Sequence, residues 1–227
     1  MPIIDQDTKQ RVQQELSGMV RTVHLTVYTG GSLVIPGQDG TGQQRETLAL
    51  LHEIAELSEH VTVSERPIAG DEEAKELAIT HAPTILFREE GSTRTNIRFV
   101  GLPGGYEFQT LIETLKLLGS DAPAAGNGLA DLEQPVRVQS FVTPTCPYCP
   151  RAVLTAYALA AGNERIVAEG IEANEFPILS QRNRISSVPD TIIQGPAGVE
   201  RVLGAQPPNV FAEAIGKAAG AEQAAGA

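Results

Sequence analysis

One order of elements occurs twice in the 227 residues, and that duplication limits the possible folds more than any single motif does. The first copy opens with Val23–Tyr28, a β-branched run that reads as a strand, and continues through a Gly-rich loop (Gly30 to Gly42) into an apolar helix near Gln43–Ser58. A strand at Val61–Ser64 and a short helix at Asp71–Ile79 follow. Then come a strand led by proline at Pro83–Phe87, a strand at Ile97–Gly101, and a helix carrying Phe108, Leu111, Ile112, Leu115 and Leu118. The second copy repeats the order with Val136–Thr143, Cys146–Ala161, Ile166–Glu169, Asn174–Arg182, Pro189–Ile193, Val199–Leu203 and Val210–Ala218. Gly101 and Gly204, Phe108 and Phe211, and Ile112 and Ile215 are each 103 positions apart. Thr29 to Pro83 is 54 positions and Thr143 to Pro189 is 46, so the loop Gly30–Gly42 is the natural home of the excess. Two copies are too few for a solenoid, and strands alternating with helices predict a tandem α/β protein.

The expected partition is a first unit over 1–122, led by a helix within Asp5–Val20, and a linker over 123–134. A second unit over 135–220 and a disordered Ala/Gly tail over 221–227 complete it. A formal charge of −11 argues against nucleic acid, which demands clustered Lys and Arg. No apolar run approaches the roughly 20 residues of a membrane span. The start, Met1-Pro2-Ile3-Ile4-Asp5, has no basic region followed by an apolar core, so a cytoplasmic protein is expected.

The chain has only two cysteines, in Thr143-Pro144-Thr145-Cys146-Pro147-Tyr148-Cys149-Pro150. A structural bridge closing so short a loop would stabilise little, and a reducing compartment disfavours one. The motif falls where a strand turns into a helix. Thr145 is the candidate N-cap and Pro147 suits the first turn. Cys146 is then expected at the helix N-terminus, where unpaired N–H groups favour a thiolate. Cys149, one turn later, is expected on the same face but deeper. That arrangement provides an attacking thiol and a resolving thiol, and no metal is expected. Zinc binding would need a second Cys or His pair, and all four histidines (His24, His52, His60, His81) lie in the first half.

Phe141–Pro150, together with the proline-led strands at Ala82-Pro83 and Val188-Pro189, resembles the glutaredoxin-like protein disulfide oxidoreductases built from two fused thioredoxin-fold units. The resemblance covers nearly all of residues 1–220. The layout is also similar to the N-terminal domain of the flavoprotein subunit of bacterial alkyl hydroperoxide reductase, where only the second unit keeps a Cys-x-x-Cys. The resemblance implies two thioredoxin-like units, each a central mixed sheet flanked by helices. It implies that Pro189 is a cis-proline beside the cysteines and that the Val188 backbone pairs with bound substrate. Pro147 and Tyr148 would shape the contact surface, and Pro83 would be scaffold.

The first unit departs from the two-site family: Tyr28-Thr29-Gly30-Gly31-Ser32 stands where cysteines would be, so only the second unit can exchange disulfides. Val136–Thr143 lacks the buried carboxylate of thioredoxins, with Gln139 and Ser140 in its place. Proton removal from Cys149 is therefore expected to go through water. No G-x-G-x-x-G follows a strand, so no cofactor is expected beyond the redox dithiol. Electrons are expected from a separate thioredoxin-reductase-like flavoprotein or from glutathione.

The leading reading is a thiol–disulfide oxidoreductase acting on disulfide-containing proteins and feeding a peroxidase such as a peroxiredoxin. Two others compete with it. One is a cysteine-independent substrate-binding or holdase module built on the first unit. The other is an iron–sulfur cluster carrier.

Overall fold

The computed structural model describes residues 3–30, 40–121, 129 and 132–220. The chain divides into two compact units, Met1–Gly104 with Leu111–Ala122, and Gly105–Thr110 with Pro123–Ala227. Most of the expected linker and all of the expected disordered tail lie outside the described residues.

In the first unit β1 (Val23–Thr29) runs parallel to β2 (Val61–Pro67) and antiparallel to β3 (Thr84–Glu89), which pairs antiparallel with β4 (Ile97–Val100). The order is β2-β1-β3-β4. Helices α1 (Gln6–Leu16), α2 (Gly40–Ala55), α3 (Glu72–Glu76) and α4 (Glu107–Gly119) complete the elements of this half of the chain. Helix α1 is shorter than the expected Asp5–Val20 span. It is capped by Asp5, whose carboxylate accepts from the Thr8 N–H at 2.8 Å, and it buries Val12 and Leu16. The lengthened loop that the sequence assigned to Gly30–Gly42 lies mostly outside the described residues, and α2 already begins at Gly40.

The second unit repeats the pairing. Strand β5 (Val136–Val142) is parallel to β6 (Ile166–Glu172) and antiparallel to β7 (Asp190–Gly195), and β7 is antiparallel to β8 (Gly198–Leu203). Helices α5 (Cys149–Gly162), α6 (Pro177–Arg182) and α7 (Pro208–Ala219) follow their strands in the same order. The central strands β1 and β5 share one burial pattern, with every residue buried except the second, His24 or Arg137. Both strands were legible from their β-branched and aromatic residues, Val23, Thr26, Val27 and Tyr28 in β1 and Val136, Val138, Phe141 and Val142 in β5. Val138, Val142, Val153, Tyr157, Phe211 and Ile215 are fully buried and form the body of this unit's core.

The duplication extends to single hydrogen bonds. Both proline-led strands start with a cis X-Pro bond, at Ala82–Pro83 and Val188–Pro189. The Gly101 N–H donates to Pro83 O at 2.8 Å, and the Gly204 N–H donates to Pro189 O at 2.9 Å. Both glycines have positive φ, +104° and +78°, a backbone state that side chains with a Cβ rarely take. The 103-residue spacing of this pair thus records one turn requirement shared by the two copies.

One part of the expected partition differs from the structure. Gly105–Thr110, assigned by sequence to the first unit, clusters with the second. Its anchor is the Tyr106 N–H, which donates to Pro144 O at 2.9 Å. Gly105, at φ +58°, leaves room for that carbonyl: a Cβ there would fall 2.2 Å from Pro144 O.

Candidate active site

The end of β5 delivers the chain into the cysteine motif through two overlapping turns. The Cys146 N–H donates to Thr143 O at 3.2 Å, and the Cys149 N–H donates to Cys146 O at 3.3 Å. Helix α5 therefore starts at Cys149, not at Cys146, and Thr145 does not cap it; the residue before the helix is Tyr148, without a side-chain cap. The physical reason lies in the prolines. Cys146 precedes Pro147, and the ring of a following proline disfavours helical backbone at the residue before it. Pro150, inside the first turn of α5, costs no hydrogen bond because its N–H would be unpaired there.

The two thiols differ in environment as the sequence suggested. Cys146 is half-buried and Cys149 is buried; both are free thiols. The Cys146 thiol lies 3.8 Å from Val188 O, to which it donates, so the residue before the cis-proline borders the sulfur. Burial pushes the Cys149 thiol well above the ordinary thiol range. A hydrogen bond with the Cys146 side chain raises it further, a backbone hydrogen bond from Thr143 works the other way, and the charge of Glu107 adds to the rise. Tyr148 and Pro147 are exposed on the rim, Tyr148 at 70%. Four of the six residues singled out from sequence thus belong to the motif itself, and Val188 and Pro189 are brought beside it.

Directly after the cis-proline, Asp190 is fully buried and held by Arg201, whose Nε donates to Oδ1 at 2.9 Å and whose Nη2 donates to Oδ2. The same Nη2 donates to Arg184 O at 2.9 Å. This bidentate pair ties β7 to β8 at the end of β7 next to Pro189.

The residue that sequence reasoning missed is Glu107. It is fully buried at the start of α4, in the Gly105–Thr110 segment that clusters with the second unit. Burial pushes its carboxyl up to about 7, against the opposing hydrogen bond from the Thr110 hydroxyl at 2.6 Å. Its second oxygen, Oε1, is buried without a hydrogen-bond partner among the described residues. Its charge reaches both Cys149 and the buried Tyr157. A buried carboxylate, absent from β5, is thus supplied by a different element, the first turn of α4. At the position that β5 would use, Ser140 instead shares a 2.9 Å hydrogen bond with Thr191. A signal did exist. Glu107 lies four residues before Leu111 on the apolar stripe of its helix, and the second copy has Val210 there, 103 positions on.

Among the described residues no group of three His, Cys, Asp or Glu could hold a metal ion, and no helix is long and apolar enough to cross a membrane.

Comparison with known proteins agrees with this layout. Residues 136–216 match the family model of the thioredoxin domain. The chain is 27% identical over 197 residues to the F subunit of alkyl hydroperoxide reductase from Staphylococcus epidermidis, covering 85% of this chain and 34% of that protein. It thus spans 34% of the length of the curated relatives it matches. Among solved structures it is similar to the F subunit of the Enterococcus faecalis alkyl hydroperoxide reductase, with a TM-score of 0.79, 25% identity, and coverage of 93% of this chain and 99% of that one. It is equally similar to a protein disulfide oxidoreductase from Aeropyrum pernix, with a TM-score of 0.79, 25% identity, and coverage of 96% and 95%. Both units have the thioredoxin fold, in tandem.

Proposed function

We propose that the chain is a thiol–disulfide oxidoreductase that reduces or exchanges protein disulfides through a dithiol/disulfide cycle at Cys146 and Cys149. The observation that carries this reading is the asymmetric thiol pair, one half-buried beside Val188 O and one buried within range of the Glu107 carboxylate. In the cycle the Cys146 thiolate attacks a substrate disulfide, one substrate sulfur leaves as thiolate, and a mixed disulfide forms. Glu107 accepts the Cys149 proton, and the Cys149 thiolate then attacks the Cys146 sulfur. The second substrate thiol is released and a Cys146–Cys149 disulfide remains. Two electrons have passed to the substrate, and a separate dithiol or flavoprotein reductase, or glutathione, returns them. A carboxyl titrating near 7 suits this task, because a general base works best when its pKa lies near the working pH.

Val188 serves the substrate through its backbone, next to Pro189, while Pro147 and Tyr148 form the contact rim. Similarity to the F subunit of alkyl hydroperoxide reductase supports peroxide reduction as the setting. In this reading the acceptor is a peroxidase and the compartment is the cytoplasm.

The purified chain, equilibrated in dithiothreitol buffers of graded potential and alkylated, should lose both reactive thiols together in one two-electron step. The midpoint should fall in the range from about −200 to −270 mV that glutaredoxins and thioredoxin span. Thiols that stay alkylatable at every potential would contradict the cycle.

A further inference from the structure

Beside the dithiol the second unit carries a groove of about 430 Å³, walled by Pro147, Pro150, Arg151, Leu154, Ala158 and Pro208. Given Cys146 as the attacking thiol, we propose that this groove seats an extended, apolar segment of the disulfide-bearing protein, with an acidic side chain facing Arg151. The groove therefore selects which protein disulfides are reduced.

The groove starts at Pro147, the residue after Cys146, so a polypeptide joined to Cys146 passes its mouth. It then follows the outer face of α5 to Ala158. From Pro150 to Ala158 the helix rises about 12 Å, which four residues of extended chain would cover at about 3.3 Å each. The volume lies in the range of sites that bury several side chains. Apart from Gln109, Arg151 and Thr155, the walls are prolines, Leu154 and Ala158, surfaces that give up little hydration when covered.

Charge narrows the occupant. Arg151 is the single charged residue of the lining, it is exposed, and no carboxylate among the described residues pairs with it. An unpaired guanidinium on a chain of net charge −11 is matched by an acidic group from the partner. The rim points the same way. Tyr106 and Tyr148, two of only four tyrosines, are 50% and 70% exposed, and both attach to the Pro144–Cys149 turn, Tyr106 through its hydrogen bond to Pro144 O. Exposed tyrosines are frequent anchors of a protein contact. A small disulfide on Cys146 does not extend along α5 to Leu154 and Ala158, so the groove discriminates by the flanking sequence of the substrate cysteine and leaves the sulfur chemistry alone.

The test uses the reduced full chain and peptides whose single cysteine is disulfide-linked to thionitrobenzoate, the release of which is read by its colour. The cysteine is flanked, on either side in separate peptides, by Leu-Leu-Glu-Leu, Leu-Leu-Lys-Leu or Gly-Ser-Gly-Ser. The acidic–apolar flank should react at least 10-fold faster than the Gly-Ser flank on one of the two sides. Leu154→Glu should abolish that preference, and Arg151→Glu should invert the order of the Glu and Lys peptides. Both variants should react with free dithiobis(nitrobenzoate) within a few-fold of the unaltered protein, the carboxylates of the reagent accounting for the difference, and circular dichroism should show that both are folded. A flank preference unchanged in Leu154→Glu, or no preference in the unaltered protein, overturns the proposal. A dimer that Leu154→Glu dissolves, without any flank preference, would make the groove a self-association face and also overturn it. Failure of the unaltered protein to react even with dithiobis(nitrobenzoate) would instead overturn the redox reading itself.

Discussion

Replacing Cys146 with serine should lower the reduction of insulin disulfides by at least about 10³-fold, to the rate set by the reductant alone. The reason is chemical rather than structural. A serine hydroxyl is not ionised near neutral pH, and an alcohol oxygen forms no stable bond to a disulfide sulfur. The half-buried position of Cys146 and the long contact of its thiol, 3.8 Å to Val188 O, mean that the fold loses little. Thermal unfolding should therefore stay within a few degrees of the unaltered protein while turnover disappears. Retention of full activity by Cys146→Ser would remove the dithiol from the reaction.

The second large effect is expected at Glu107. In Glu107→Gln no buried carboxylate can receive the Cys149 proton, and general-base catalysis of this kind contributes about 10²–10⁴-fold. Resolution of the mixed disulfide should slow by about 10²-fold at pH 7, as read by rapid quench and mass analysis. It should recover as pH rises, because hydroxide then replaces the missing base. The first attack by Cys146 should hardly change, which separates a role in proton transfer from general damage to the site.

The same variant has a stability signature of known sign. The folded protein raises this carboxyl from the ordinary 4.5 to about 7 because burial disfavours its charge. Between those limits the folded state keeps a proton that the unfolded chain releases. The stability that the neutral acid allows is complete below about pH 4.5 and is lost as pH rises through about 7, on the order of 3 kcal/mol in all. Glu107→Gln should therefore be more stable than the unaltered protein at pH 8 and equal to it at pH 4, by urea unfolding at both values. A stability gap independent of pH would show that Glu107 is not a buried, ionisable group.

The parts of this design that were legible in sequence are those written as local patterns. The strands β1 and β5 announce themselves by their β-branched and aromatic residues, and the proline-led strands by their prolines. Gly101 and Gly204 mark the same positive-φ turn in each copy. Cys146 and Cys149 needed no structure to be found, since two cysteines alone at a strand–helix junction have few other uses.

What local pattern could not supply was Glu107. It lies 39 positions before Cys146, on a helix whose first turn joins the second unit through Tyr106 and Pro144. The periodicity of that helix places Glu107 on its apolar stripe, but only the assembled unit shows that its charge reaches Cys149. The start of α5 differs from the expectation for a smaller reason: Thr145 has the right side chain for a cap, yet a turn closed by the Cys149 N–H on Cys146 O precedes the helix.

The most direct measurement of the central claim uses Cys149→Ser, which keeps the attacking thiol and removes the resolving one. Incubated with a disulfide-bearing protein and analysed without reductant, it should accumulate a covalent adduct of one chain to one substrate molecule, linked through Cys146 and released by dithiothreitol. Absence of that adduct, or its equal formation in the variant lacking both cysteines, would contradict a cycle in which Cys146 attacks and Cys149 resolves.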